Sequence, residues 1–286
     1  MRAVAEVNST NELTKTINEL KQKRELFFIV GNGTNIIASD SGFDGTIIKI
    51  TNNHIKISGN KISCGAGLLL QKLINAANKA GLAGLETLAG IPGTVGGAIF
   101  GNAGAYGREI SDSLVKVKIF NGKDLRWLSK KDCAFRYRES IFKKKPSWVI
   151  LETKFVLKNG SNFDLIKKSK EIIALREKKY KPNIRCAGSI FKNILAASPA
   201  GRRLKNKIPP DKIIKGKIPA GYLLEQVGAK GMRIGGISVA NHHGNLIVNN
   251  GRGTAKDAKT LIEVLKNKVK NHYGTELEEE VQYLGF

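Results

Sequence analysis

Apolar positions along this chain change period several times, and each change predicts an element. Ser9 with Glu12 has the spacing of a capping box, and Leu13, Ile17 and Leu20 then recur on one helical face, so a helix of about three turns follows an opening strand. The run Leu26-Phe27-Phe28-Ile29-Val30 is continuously apolar and stops at Gly31, which reads as a buried strand feeding a loop, and residues 46–50 read as the next strand. His54-Ile55-Lys56-Ile57-Ser58 and Lys61-Ile62-Ser63-Cys64 alternate on either side of Gly59-Asn60, the pattern of a hairpin. Helical periodicity returns over 68–80 and stops at Gly81. Residues 115–120 and 123–128 flank Asn121-Gly122, a second hairpin signal; 148–157 predicts a strand and 162–180 a basic helix closed by Lys181-Pro182. Beyond it come a Pro/Lys-rich insertion at 198–219, a turn at Gly235-Gly236, a strand-like 246–249, a helix from about Thr254 to Tyr273 and a last strand around 277–284.

The alternation predicts an α+β chain with mixed sheets in three parts, 1–50, 51–180 and 181–286, the last strand being free to return to the earlier parts. A chain of 286 residues is long for one hydrophobic core, and 41% hydrophobic residues is ordinary for a folded protein of two or three domains. Cys64, Cys133 and Cys186 are odd in number and far apart, so neither a disulfide framework nor a metal site is expected and a reducing compartment fits. Met1-Arg2-Ala3-Val4-Ala5-Glu6 has no apolar core, so no secretory leader is expected and the cytoplasm is. Residues 87–107 carry no charge over a length that could span a bilayer, yet their glycines, Pro92, Asn102 and Tyr106 make a poor helix. A buried or ligand-facing loop is the better reading.

Lys and Arg number 48 against 24 acidic residues, a net charge of +24, with the excess heaviest over 101–200. That balance raises nucleic acid as a partner. The densest cluster, Arg202, Arg203, Lys205, Lys207, Lys212, Lys215 and Lys217, has no aromatic residue between Lys192 and Gly221 on which bases could stack. A lysine-biased solvated surface that also attracts a diphosphate needs fewer assumptions, and no nucleic-acid or membrane partner is expected.

Two glycine-bearing segments carry the candidate chemistry. Gly31-Asn32-Gly33-Thr34-Asn35-Ile36 follows the buried strand, where a third glycine would complete a dinucleotide fingerprint, but Ile36 stands there. What remains is a loop whose backbone N–H groups can converge on a phosphate. Gly81, Gly84, Gly90, Gly93, Gly96, Gly97, Gly101, Gly104 and Gly107 crowd the second segment. Such density weakens helices and strands and lets backbone approach a flat or pyrophosphate-bearing ligand. Leu85, Leu88, Ile91, Val95, Ile99 and Phe100 make the segment too apolar for a flexible linker.

Taken together, GNGTNIIASDSGFDGTIIKI (31–50) and GLAGLETLAGIPGTVGGAIFGNAGAYG (81–107) resemble the FAD-binding signatures of the UDP-N-acetylenolpyruvoylglucosamine reductase family, flavoenzymes of the vanillyl-alcohol-oxidase fold type. Further motifs follow in the family's order: Tyr137-Arg138-Glu139-Ser140, Gly188-Ser189-Ile190-Phe191-Lys192-Asn193, PAGYLLEQVGAKGMRIGG (219–236) and Leu277-Glu278-Glu279-Glu280-Val281. The resemblance covers nearly the whole chain. It implies two FAD-binding subdomains (1–50 and 51–180) and a substrate-binding domain (181–286), with NADPH as reductant and a UDP-sugar enolpyruvate as substrate, in a monomer. It implies cofactor contacts from Gly31, Asn32, Gly33, Thr34, Asn35 and Ile36, from Ile91, Pro92, Gly93, Thr94, Gly96 and Gly97, and from Asn102, Ala103 and Gly104. Arg138 would stabilise the negative charge that hydride addition leaves, Ser189 would protonate the substrate carbon, and Glu280 would stabilise the intermediate or organise proton delivery. Tyr137, Lys192, Asn193, Lys217, Gln226 and Asn245 match or neighbour substrate-contacting positions, Lys217 from within the insertion.

The chain also departs from the family's pattern. Members begin with a segment bearing a Thr-Thr-x-x-x-x-Gly-Gly-x-Ala motif, and this sequence starts just after where that motif ends. Asn32, Thr34, Arg108 and Glu279 stand where glycine, serine, glycine and proline are usual. Read without the family, Tyr137 and Arg138 are alternating strand residues, Ser189 is a turn or cap residue, and Glu278, Glu279 and Glu280 are edge-strand charge, with Glu279 on the face opposite the other two. The competing functions are another FAD-dependent oxidoreductase of the same fold, such as an oxidase of a sugar or alcohol, and a basic nucleic-acid-binding protein. Tyr-Arg, Gly-Ser and the terminal glutamates weigh against the first, and the glycine density against the second.

Overall fold

The structure, a computed structural model, describes residues 3–181 and 183–286; Met1, Arg2 and the expected helix stop Pro182 lie outside the described residues. Two compact units form, Met1–Gly33 with Asp44–Glu177 and Thr34–Phe43 with Lys178–Phe286. Residues 34–43 fall in the second because the strand Ile36–Ala38 pairs in parallel with Gln282–Leu284, packing Ile37 on that unit's core.

In the first unit Thr46–Ile50 lies between Ala3–Val7 and Phe27–Val30, all parallel. Helix α1 (Thr10–Gln22) connects the outer two and buries Leu13, Ile17 and Leu20. Ser9 Oγ accepts from Glu12 N at 3.2 Å as the spacing predicts, but the glutamate reaches Asn8 N at 2.9 Å, one residue before the cap. Leu26, expected in the buried strand, lies outside it and is 65% exposed. Leu26 O instead accepts from Thr46 N where the chain enters the sheet.

An antiparallel five-stranded sheet follows, in the order Leu125–Ser129, Leu114–Phe120, Val149–Val156, Lys61–Gly65, Ile55–Ser58. The second hairpin does not turn on Asn121-Gly122 alone. Asn121 Oδ1 accepts from Lys123 N and Asp124 N at 2.9 and 2.6 Å, and this side-chain turn widens the loop to four residues, pairing Phe120 with Leu125. Helix α2 (Leu70–Lys79) ends where Gly81 takes φ +66°. The glycine segment contains a helix that its composition argues against, α3 (Val95–Phe100): Thr94 caps it, and Val95, Ala98 and Ile99 are buried, so burial outweighs the low propensity of Gly96 and Gly97. Short α4 (Ile141–Lys144) and long α5 (Asn162–Lys179) follow, the last two residues of α5 already belonging to the second unit.

In the second unit the Pro/Lys-rich insertion is ordered. Ser198 Oγ accepts from Gly201 N at 3.0 Å and starts α6 (Pro199–Lys205), and Lys217–Ile218 pairs with Ile194–Leu195. After α7 (Ala220–Gln226), strands Arg233–Ile234, Ile237–Val239 and Ile247–Asn249 form a small antiparallel sheet. It packs on α8 (Ala255–Tyr273), whose Thr254–Asp257 capping box and left-handed Gly274 mark both ends. Asp40 accepts from the first two amides of α8, Ala255 N and Lys256 N, at 2.8 and 3.0 Å. The expected last strand shortens to Gln282–Leu284, residues 278–280 being held by residues 190–192 instead. Among the described residues no helix is long and apolar enough to cross a membrane.

Candidate functional site

The first unit carries a glycine cradle. Gly31 ends the strand Phe27–Val30 and lies against Thr94, so closely that a Cβ on Gly31 would collide with the threonine Oγ1 and sit 3.3 Å from its Cβ. Thr94 cannot rotate away without loss, because Oγ1 accepts from Gly97 N at 3.2 Å. Gly96 packs on Ala66, its N donating to Ala66 O at 2.8 Å and its missing Cβ 3.0 Å from the alanine Cβ. Gly93 O accepts from Leu70 N and Ile91 N donates to Leu88 O, so the loop around Pro92 is tied to α2 and to the turn before it. Thus Gly31, Asn32 and Gly33 share a unit with the Ile91–Gly97 loop, and Gly31 touches it.

A second group surrounds Asn102. This residue is fully buried at φ +43°, and its Nδ2 donates to Glu109 Oε2 at 2.7 Å and to Arg136 O at 2.9 Å. Its Oδ1 is buried with no hydrogen-bond partner among the described residues. Ala103 N donates to Ala98 O, and Gly104 O accepts from Arg138 Nη2 at 2.6 Å. Tyr137 and Arg138 are not alternating strand residues: Arg136 and Glu139 exchange both backbone hydrogen bonds at 3.0 Å, leaving the pair at the tip of a two-residue turn. Arg138 accepts φ +56° there, a left-handed conformation that costs about 1 kcal/mol or more outside glycine, and its guanidinium sits 5.2 Å from the Tyr137 ring centroid. Lys143 Nζ donates to Arg138 O at 2.7 Å and helps hold the turn.

Ser189 and Glu280 share a braid in the second unit. Residues 189–192 run between 245–246 and 278–280: Ile190 N donates to Asn245 O, Glu280 N to Ile190 O at 2.7 Å, and Lys192 N to Glu278 O at 2.8 Å. The buried Asn245 side chain holds Phe191 at both backbone groups, accepting from its N at 2.9 Å and donating to its O at 2.8 Å. Two of the three glutamates are told apart by their partners. Glu278 pairs with the buried Lys192 ammonium, while Glu279 takes the Lys266 ammonium at 3.0 Å and the Tyr283 hydroxyl. Burial and the Glu279 carboxylate drive the Tyr283 phenol well above its ordinary range.

The other expected contacts fall on the same unit. Thr34, Asn35 and Ile36 leave the glycine loop for it: Asn35 Nδ2 donates to Glu280 O at 3.0 Å, Asn35 O accepts from Gln282 N, and Ile36 opens the strand beside Gln282. Asn193 Oδ1 accepts from Ala220 N at 3.1 Å at the start of α7; Gln226 ends that helix, exposed, and Lys217 lies in the ribbon opposite Leu195.

Two neighbours of Ser189 escape the pattern of the sequence. Tyr180 OH lies 3.0 Å and Lys179 Nζ 3.3 Å from Ser189 Oγ, brought back across the 181–188 connection at the end of α5. Only the adjacency of two polar residues to a helix stop could have flagged them. Nearby, burial and then the Lys179 ammonium push His243 down to about 4, and its Nδ1 accepts from Asn245 N at 3.1 Å, as a neutral imidazole does.

Fold and site define the class first. Parallel and antiparallel sheets, with glycine loops meeting at Gly31 and Thr94, are the frame of an FAD-binding protein, and the family profile described as FAD binding domain matches residues 1–124. The residues fit that cofactor: Gly31 and Gly96 sit where a Cβ is crowded, and the buried Asn102 Oδ1, which has no hydrogen-bond partner among the described residues, is an acceptor for an N–H or O–H of the group. The profile for the C-terminal domain of UDP-N-acetylenolpyruvoylglucosamine reductase matches residues 179–284. Over 98% of this chain and 90% of the relative, 43% of residues are identical to the UDP-N-acetylenolpyruvoylglucosamine reductase of Solibacter usitatus; for the Bacillus cereus protein called reductase 1 the figures are 34% identity over 96% and 85%. The crystal structure of the Thermus caldophilus reductase superposes with a TM-score of 0.77 at 29% identity, covering 98% of this chain and 91% of that one. The chain belongs to the UDP-N-acetylenolpyruvoylglucosamine reductase family.

Proposed function

We propose that this protein reduces the enolpyruvyl group of a UDP-N-acetylglucosamine enolpyruvate to give UDP-N-acetylmuramate, with NADPH as reductant, in the making of peptidoglycan precursors. FAD, when bound, supplies the hydride relay between NADPH and the enolpyruvyl double bond. Gly31, Asn32, Gly33, the Ile91–Gly97 loop and Asn102, Ala103 and Gly104 hold it, and Thr34, Asn35 and Ile36 extend the same loop. Arg138, a permanently charged fork, stabilises the negative charge that hydride addition leaves on the substrate. Ser189 then gives its proton to the adjacent carbon, and Glu280 supports the charged intermediate. Tyr137, Lys192, Asn193, Lys217 and Gln226 orient the UDP-sugar, while Asn245 acts mainly by fixing Phe191. A cytoplasmic monomer, with a basic surface serving diphosphate capture rather than nucleic acid, completes the reading.

The observation that carries it is the common frame of Ser189 and Glu280: Glu280 N donates to Ile190 O, so acid and carboxylate belong to one hydrogen-bonded braid. The test is spectroscopic. The purified protein should show a yellow flavin spectrum, bleach with NADPH in the absence of oxygen, and regain colour on addition of the enolpyruvyl UDP-sugar. A protein that stays colourless with added FAD, or that bleaches and is not recoloured by this substrate, would refute it. In Ser189→Ala, bleaching should be spared and recolouring slowed on the order of 10²-fold or more.

A further inference from the structure

We propose that Tyr180 and Lys179 orient the Ser189 hydroxyl and that Tyr180 returns a proton to Ser189 after each turnover. This rests on the reading of Ser189 as the substrate's acid. A serine hydroxyl has one proton and two lone pairs. Lys179 Nζ, 3.3 Å away, can only donate and so fills one lone pair; Tyr180 OH and Ser189 Oγ lie 3.0 Å apart, where either hydroxyl can donate, and in the proposed arrangement the phenol donates into the other. With both lone pairs engaged, the serine proton points away from the pair, which is the direction an acid needs.

The placement is built by the fold. Lys179 is the last residue of α5 and Tyr180 the next, and the connection that follows brings Ser189 back to them through Gly188, which takes φ +83°. His242 Nε2 donates to Lys179 O at 2.8 Å and anchors this helix end. The Lys179 ammonium also lies 4.9 Å from the Tyr180 ring centroid, so the three groups form a closed triangle.

The proton inventory balances. As the substrate C–H bond forms, the Ser189 O–H bond breaks and its electron pair stays on Oγ. The Tyr180 O–H bond then breaks and the serine O–H re-forms, a favourable transfer because a phenol is a stronger acid than an aliphatic alcohol. The phenolate charge lies beside the Lys179 ammonium, and Tyr180, half-buried, regains its proton from water. No oxidant or reductant enters these steps. Tyr180 therefore acts through Ser189 and is a positioning residue.

Stopped-flow kinetics on the FAD-loaded protein test this. Tyr180→Phe, which removes one oxygen, should leave bleaching by NADPH within about twofold of wild type, leave the KM for the UDP-sugar unchanged and slow recolouring on the order of 10-fold or more. Added to Ser189→Ala, the same change should cost nothing further, because its only route of action is gone. Lys179→Met should slow recolouring, and Lys179→Arg should largely restore it. Equal recolouring in Tyr180→Phe and wild type, or an equal loss from Tyr180→Phe with and without Ser189, would overturn the proposal. Wild-type protein that the UDP-sugar fails to recolour overturns the assigned activity and this proposal with it; a Ser189→Ala protein recoloured at the wild-type rate overturns the serine's role and hence the relay. These last two results are distinct from a failure confined to Tyr180.

Discussion

The Asn245 side chain grips the backbone of Phe191 from both sides, accepting from its N at 2.9 Å and donating to its O at 2.8 Å in a buried setting. Truncation leaves two buried backbone groups without these partners, each worth about 1–3 kcal/mol when unsatisfied. Asn245→Ala should therefore lower stability by roughly 2–6 kcal/mol in urea unfolding. Because residues 189–192 hang on this grip, recolouring by substrate should suffer more than bleaching by NADPH. A variant with wild-type stability would show that the braid holds without it.

Gly31 meets Thr94 with no room for a Cβ. Gly31→Ala should force the loops apart and weaken FAD binding, read as loss of flavin absorbance during dialysis. Adding Thr94→Ala removes the obstructing hydroxyl and should recover part of the binding, although it also removes the cap of α3. Tight flavin retention by Gly31→Ala alone would place the cofactor elsewhere.

Arg138 donates to Gly104 O at 2.6 Å from the tip of its turn. Arg138→Lys keeps the charge and loses the planar fork. Substrate-driven recolouring should fall on the order of 10²-fold or more, with NADPH bleaching nearly unchanged. Equal loss in both half-reactions would assign the arginine to cofactor binding instead.

His243 is pushed down to about 4 by burial first and by the Lys179 ammonium second. Its ordinary value is about 6.5, so between the two values the unfolded chain binds more protons than the folded one. Stability should accordingly fall as pH drops from about 6.5 towards 4, with no further loss from this group below that. His243→Asn should flatten this part of the stability curve. An identical slope in variant and wild type would remove His243 as its source.

Local signals were legible wherever the cause was itself local. Ser9, Thr254 and Gly81 mark helix ends because caps and left-handed termini depend on near neighbours. The Asn121-Gly122 turn was misplaced because the Asn121 side chain captured Lys123 N and Asp124 N, a choice between two local bonds that the dipeptide does not reveal. Leu26 was taken for core because an apolar run does not say where its burial stops. The helix inside the glycine segment was missed because tertiary burial of Val95, Ala98 and Ile99 overrode propensity.

By itself the sequence determined the α+β class, the family and the identities of Arg138, Ser189 and Glu280 as candidates, since ordered motifs and apolar periods are properties of the chain as written. Only the tertiary structure decided that Gly31 meets Thr94, that Glu279 is taken by Lys266 and Tyr283, and that Lys179 and Tyr180 close on Ser189. The physical reason is that hydrogen bonds and collisions depend on separations of a few ångströms in space. Pairings such as Gln282 with Ile36 and Asn245 with Phe191 set those separations, and no local run of residues encodes them.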